Sequence, residues 1–257
     1  MQPLDPTHRF TDRVADYVRY RPGYPLALLD WLRAEHGVTA AWEVADLGAG
    51  TGISSRLFLE AGHAVVAVEP NAAMRAAALE ALGSSPRFRA VDAPAEATTL
   101  PEKSVDLVVA AQAFHWFDHE AVRKEWARIL RPAGLALVLW NSRRTGGTPF
   151  LDGYEDLLRA HALDYALVAE RYSDEAYMRG WFGAGFRAAR TFENRQVLDL
   201  AGLRGRVLSS SYVPGPGHPG HAPLLEALAR LFDRTQVGGH VTIEYQTRAY
   251  LGRPWRA

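Results

Sequence analysis

The sequence predicts an α/β protein built on a doubly wound, mostly parallel sheet with helices on both faces. Three observations carry that prediction. Short apolar runs alternate with helical patterns from Trp42 to about Asn141, several of those runs are apolar without alternation, and one late segment alternates residue by residue. Strands interleaved with helices build a parallel sheet. Strands covered by helices on both faces lose the polar–apolar alternation because neither face meets water.

In chain order, Pro25 suits a helix's first turn, and Leu28, Leu29 and Leu32 continue an apolar stripe that ends at Gly37. Strands are expected over Trp42–Leu47, Ala64–Glu69, Arg87–Asp92, Val105–Ala111 and Leu135–Trp140; runs such as AVVAV and LALVLW read as central. Between them, Asn71 caps a helix that faces the sheet through Met74, Ala78 and Leu82, and Asp118 precedes one that does so through Val122, Trp126 and Ile129. Thr148-Pro149 opens a further helix with Phe150, Tyr154, Leu157, Leu158 and His161 on one side, and a second helical stretch follows near Asp174–Phe182. These interrupt the strand rhythm. Val241, Ile243, Tyr245, Thr247 and Ala249 then alternate with more polar neighbours, the half-buried pattern of an antiparallel last strand. Pro214–Gly220 reads as a surface loop, and the expected organisation is one domain over residues 1–257 with a helical cap insertion at about 142–183.

Composition narrows the chemistry. With 257 residues, 29 basic against 29 acidic side chains and a net charge of zero, no global field draws the chain to nucleic acid or anionic lipid. Cysteine is absent, which excludes disulfides, thiolate metal sites and cysteine nucleophiles and fits a reducing, cytoplasmic setting. Only Lys103 and Lys124 are lysines, so Schiff-base and P-loop chemistry have almost no candidates. The first residues lack a basic and then apolar leader, and no run approaches the roughly 18 apolar residues that span a bilayer. The expectation is a protein neither exported nor membrane-embedded, with no metal.

DLGAGTG, from Asp46 to Gly52, closes the first buried strand and opens a helix. Gly48, Gly50 and Gly52 permit a tight turn at the carboxyl edge of a parallel sheet, where such sheets bind small ligands. A dinucleotide fingerprint wants glycine at 53, where Ile53 stands, and a P-loop wants a Lys-Ser/Thr pair that is missing. Glu69 ends the second strand, 19 residues after Gly50, the position from which a carboxylate accepts both hydroxyls of a ribose.

DLGAGTG, then VEPNAAM at 68–74, PAEATTLPEKSVDLVVAAQAFHWFD at 94–118 and RILRPAGLALVLWN at 128–141 together resemble a class I S-adenosylmethionine-dependent methyltransferase. YVRYRPGYP at 17–25 and the late alternating strand extend the likeness to the type 11 branch, close to trans-aconitate methyltransferase-like proteins. The resemblance implies seven strands with the last antiparallel, S-adenosylmethionine as cofactor and a small-molecule methyl acceptor. It also assigns Asp46, Gly48, Ala49 and Gly50 to the methionine part of the cofactor and Glu69 to the ribose. Pro70 and Met74 go beside ribose and adenine, and Ala95 and Glu96 to adenine, with Asp92 as the alternative partner. It places Tyr20, Arg21 and Tyr17 in an N-terminal lid, about residues 1–24, with Arg21 against the cofactor carboxylate.

The acceptor is read from the rim. His115-Trp116-Phe117 directly follows the fourth strand, beside the transferable methyl; His115 is open to three roles, as general base, substrate wall or packing. Trp140, Asn141, Arg143 and Arg144 end the fifth strand at the same rim, and a pair of arginines there can hold a carboxylate. A carboxylate is already ionised at neutral pH and needs no base. The expected acceptor is therefore a small, mostly apolar molecule with one anionic group, methylated on oxygen to an ester. An N- or phenol O-methyltransferase, a nicotinamide-dependent oxidoreductase and a non-catalytic cofactor-binding protein are the alternatives.

Overall fold

The computed structural model describes residues 14–163, 165 and 174–254. Its strands are β1 (Glu43–Leu47), β2 (Ala64–Val68), β3 (Phe88–Val91), β4 (Val105–Ala111), β5 (Leu130–Arg143), β6 (Phe186–Leu198) and β7 (Val241–Gly252). They form one sheet in the order β3-β2-β1-β4-β5-β7-β6. The pairs from β3 to β5 are parallel, and β7 runs antiparallel to both β5 and β6. The doubly wound sheet with an antiparallel last strand is thus the architecture present.

Helices α1 (Val14–Tyr20), α2 (Ala27–His36), α3 (Ile53–Glu60), α4 (Ala72–Leu82) and α5 (His119–Ile129) precede β5. Their local causes are those read from the sequence. Asn71 Oδ1 accepts from the N–H groups of Ala73 and Met74, Asp118 Oδ1 from those of Glu120 and Ala121, and each cap contributes about 1 kcal/mol. The stripes Met74/Ala78/Leu82 and Val122/Trp126/Ile129 are buried. One face of the sheet packs on α2, α3 and α4 through Leu28, Phe58, Leu82, Val44 and Leu137; the other packs on α5 through Trp126, Ala45, Val108 and Val138.

After β5 come α6 (Pro149–His161), α7 (Glu175–Phe182), α8 (Leu200–Leu208) and α9 (His221–Thr235). Here the expected cap insertion divides. On α7, Met178, Trp181 and Phe182 join Trp126 in the core beneath the sheet, whereas α6 packs with α8, α9 and the start of β7 in a separate cluster containing Tyr154, Leu203, Leu228 and Ile243. Residues 164 and 166–173 of that stretch lie outside the described residues, as do 1–13 of the expected lid.

Three elements depart from the sequence reading, β6, α8 and α9. β6 is an edge strand whose outer positions carry Arg187, Arg190, Glu193 and Arg195; charge there blocks edge-to-edge pairing and erases the apolar alternation that marks a strand. In α8, Gly202 and Gly205 interrupt the helical pattern. Gly205 has a reason: a Cβ there would lie 2.0 Å from the Tyr20 ring, so glycine lets α1 seat on α8.

Candidate functional site

The Gly-rich turn after β1 leads into α3 without a side-chain cap, and Gly48, Gly50 and Gly52 all hold positive φ. A Cβ on Gly48 would stand 2.7 Å from that of Ala113, so this turn can approach the end of β4 only as glycine, while a Cβ on Gly50 would meet nothing within 4 Å. The turn lines a cavity of about 340 Å³, within the usual range for small-ligand sites.

Of the residues singled out by sequence, Gly48, Ala49, Gly50, Glu69, Pro70, Met74, Ala95, Glu96, Trp116, Tyr17, Arg21 and Asn141 line this cavity. Glu69 is 9% exposed. Its Oε2 accepts from the Gly50 N–H at 2.8 Å and its Oε1 from the Asn71 N–H at 2.9 Å. Burial pushes its pKa up, against those two backbone bonds. Arg75 binds the Glu69 carbonyl and Asp92, not the Glu69 carboxylate, which ties up Asp92 outside the cavity. Each Glu69 oxygen keeps acceptor capacity for a further donor.

Asp46 is fully buried behind the cavity wall. Its Oδ2 accepts from the Ser54 and Ser55 hydroxyls, both at 2.7 Å, and Oδ1 has no partner. Burial lifts its pKa to about 6 despite the two serines. Glu96 Oε1 accepts from the Asp118 N–H at 2.9 Å, tying the segment after β3 to the start of α5.

The remaining rim residues lie elsewhere. Arg143 is nearly buried, ion-paired with Glu155, bonded to the Tyr165 hydroxyl at 2.7 Å and stacked over Tyr154. Arg144 pairs with Glu193 and Glu244 outside the cavity. Neither lines the cavity: Glu155 of α6 holds Arg143, and Glu193 of β6 with Glu244 of β7 holds Arg144. Trp140 is 1% exposed under the sheet, and the His115 ring, 3.5 Å from the Trp140 indole nitrogen, does not line the cavity either. Tyr20 packs on Gly205 instead of facing the ligand space.

In their place the structure brings in Arg206 of α8 and Tyr245 of β7, with Gln112 and Ser54. Arg206 was hidden because the glycines of α8 blur its helical pattern; Leu203 and Val207, four apart, were the available signal. The chain from Tyr20 to Gly23 is pinned across this end. The Asn141 and Asn194 amides donate to the Gly23 carbonyl at 3.0 and 2.8 Å, Gln196 donates to the Tyr20 carbonyl, and Arg21 donates to the Ser209 carbonyl.

This arrangement fits S-adenosylmethionine. A buried carboxylate with spare acceptor capacity suits a diol, Met74, Pro70 and Ala95 offer apolar surface beside it, and Asp46 Oδ1 is a buried acceptor without a partner beneath the glycine turn. Among the described residues no group of three acidic or histidine side chains is placed to hold a metal, and no helix is long and apolar enough to cross a membrane.

Known proteins agree with this geometry. Residues 45–138 match the methyltransferase domain family. An uncharacterized methyltransferase of Mycobacterium tuberculosis is 42% identical over 134 residues, 52% of this chain and 52% of that protein, so the chain spans about half the length of such relatives. An uncharacterized methyltransferase-like protein of Schizosaccharomyces pombe is 29% identical over 250 residues, 94% of this chain and 93% of that protein. A solved structure of a candidate type II methyltransferase from Anaeromyxobacter dehalogenans, at 24% identity, superposes with a TM-score of 0.66 over 93% of this chain and 100% of that one, which shows the shared fold. Residues 45–138 thus resemble a methyltransferase domain, and the sheet around them has the fold of solved methyltransferase structures.

Proposed function

We propose that the whole chain is a methyltransferase acting on a small molecule, and that its acceptor is a carboxylic acid methylated on oxygen. Bound S-adenosylmethionine would supply an activated methyl on a sulfonium. The residues that would hold it are Glu69 for the ribose hydroxyls, Pro70, Met74, Ala95 and Glu96 around the adenine, the Gly48–Gly50 backbone for the methionine part and Arg21 for its carboxylate. What the protein would add is alignment of the acceptor and exclusion of water, with α1 and the Arg21–Tyr24 segment, which contribute Tyr17, Arg21, Pro22 and Tyr24 to the cavity lining, acting as the lid.

The observation that carries the carboxylate is that, among the described residues, no histidine or unengaged carboxylate lines the acceptor end. Among the described residues the titratable groups lining the cavity are Tyr17, Arg21, Tyr24, Glu69, Glu96, Arg206 and Tyr245. Glu69 and Glu96 belong to the β2–β3 end and are engaged by backbone N–H groups, and the Tyr245 hydroxyl already donates to Gln196 at 2.8 Å. No histidine is among them. A phenol or an ammonium group must lose a proton before attack; a carboxylate has lost it by pH 6. The likeness to trans-aconitate methyltransferase-like proteins points the same way.

The test is a screen of carboxylic acids, phenols and amines for conversion of S-adenosylmethionine to S-adenosylhomocysteine, with the pH dependence of any active acceptor. A carboxylate should be methylated at a rate nearly flat between about pH 6 and 8. A tenfold rise per pH unit there, or an N-methylated product, rejects the carboxylate.

A further inference from the structure

Among the described residues Arg206 carries a charge that no carboxylate matches. It is 6% exposed, projects from α8 into the cavity wall, and makes its bonds to neutral oxygens: Nε donates to the Tyr245 hydroxyl at 3.0 Å and Nη1 to the Ser210 hydroxyl at 3.1 Å. Among the described residues no carboxylate lies within ion-pair distance of it. Arg143, the other buried arginine of this region, has Glu155. Guanidinium does not lose its proton in proteins, so burial without an anion is unfavourable unless a ligand brings one.

Its place decides which ligand. Four strand steps separate β2, which ends before Glu69, from β7, which bears Tyr245, roughly 19 Å at about 4.8 Å per step. The register carries Tyr245 opposite Arg143, four residues beyond Leu139 and so about 13 Å further along the strands. Arg206 therefore stands at the far side of the cavity from the ribose acid, while Arg21, over the Tyr17 ring at 4.9 Å, is the cation assigned to the donor's carboxylate. Tyr245 and Ser210 hold the Arg206 fork in place, and Gln196 fixes the Tyr245 hydroxyl in turn.

We propose that Arg206, positioned by Tyr245 and Ser210, is the specificity-determining residue that receives a carboxylate of the acceptor. This rests on the methyltransferase reading above, and the experiment separates the two. S-adenosylhomocysteine is titrated into the wild type and into Arg206→Met and Arg206→Lys by calorimetry. Benzoate, hexanoate, inorganic phosphate and the uncharged benzamide and hexanamide are then titrated with and without S-adenosylhomocysteine. Loss of S-adenosylhomocysteine binding by the wild type overturns the methyltransferase reading, whereas the anion arm on the ligand-free protein reports on Arg206 by itself. The expected result is a preference of the wild type for acid over matched amide of about tenfold or more, abolished in Arg206→Met and largely kept in Arg206→Lys, with S-adenosylhomocysteine affinity unchanged within about threefold. Equal affinity for acid and amide, carboxylate binding that survives in Arg206→Met, or phosphate preferred to every carboxylate overturns the proposal. So does a tenfold or greater loss of S-adenosylhomocysteine affinity in Arg206→Met, which would assign the arginine to the donor.

Discussion

The two ends of the cavity are built by different logic. At the β1–β2 end most contacts come from residues that closely follow a strand, Gly48–Gly50 after β1, Glu69–Asn71 after β2 and Pro94–Glu96 after β3, with Ile53, Ser54 and Met74 from the first turns of α3 and α4 beside them. At the β5–β7 end, Asn141, Arg206 and Tyr245 come from separate elements, and the chain around Arg21 closes over them. The first end depends on short-range backbone geometry and charge, and the second on how distant helices pack. The difference teaches that, among the described residues, one arginine in this region is ion-paired within the fold and another lines the cavity without a carboxylate partner, although the sequence offers several equivalent candidates.

That contrast can be broken most strongly at Arg143. Arg143→Met leaves Glu155 buried with Arg159 and Tyr165 as its remaining partners among the described residues, and removing one member of a buried pair typically costs about 3 to 5 kcal/mol, so urea unfolding should show about 3 kcal/mol of lost stability. Binding of S-adenosylhomocysteine by the folded variant should be unchanged. A stable Arg143→Met protein that fails to bind ligand would return Arg143 to the site.

At the other end, Asp46 makes stability depend on pH in an unusual sense. Its pKa rises from an ordinary 3.8 to about 6 on folding, so the folded state holds the extra proton between those values. The contribution is present in full below about pH 4 and is lost as pH rises through 6, roughly 3 kcal/mol in total. Urea melts at pH 4, 5, 6 and 7 should show this fall against the background of other groups, and Asp46→Asn should remove it. Superimposable pH profiles for the two proteins would refute the assignment.

A smaller effect is expected for Glu69→Ala, in which the ribose would lose two bonds to a charged acceptor: binding of S-adenosylhomocysteine should weaken at least tenfold, about 1.4 kcal/mol. Unchanged affinity in a folded protein would move the nucleoside elsewhere. The smallest effect concerns the segment bridging both ends: hydrogen exchange of residues 14–24 should slow when S-adenosylhomocysteine is added, because Arg21, Pro22 and Tyr24 line the ligand space. Equal exchange with and without it counts against a lid.

The sequence by itself determined the sheet from β1 to β5, the caps at Asn71 and Asp118, β7, and the glycine turn with Glu69 in register. All of these rest on short-range causes. Buried parallel strands must be apolar, caps need a side-chain acceptor at one position, and a positive φ selects glycine. It left out β6, α8 and α9. β6 is held by its pairing with β7 and advertises itself only by charge, and α8 tolerates glycines because Tyr20 fills the space beside Gly205. α9 was legible in the spacing of Leu224, Leu228, Leu231 and Phe232, a stripe that the loop-to-strand reading of this region passed over.

Only the tertiary structure decided which polar residues line the cavity. Arg143, Arg144 and Arg206 are chemically alike in sequence, and their roles follow from whether a carboxylate packs within reach: Glu155 does for Arg143, Glu193 and Glu244 do for Arg144, and among the described residues none does for Arg206. Ion pairing is decided by distances across the fold, which no local pattern of residues encodes.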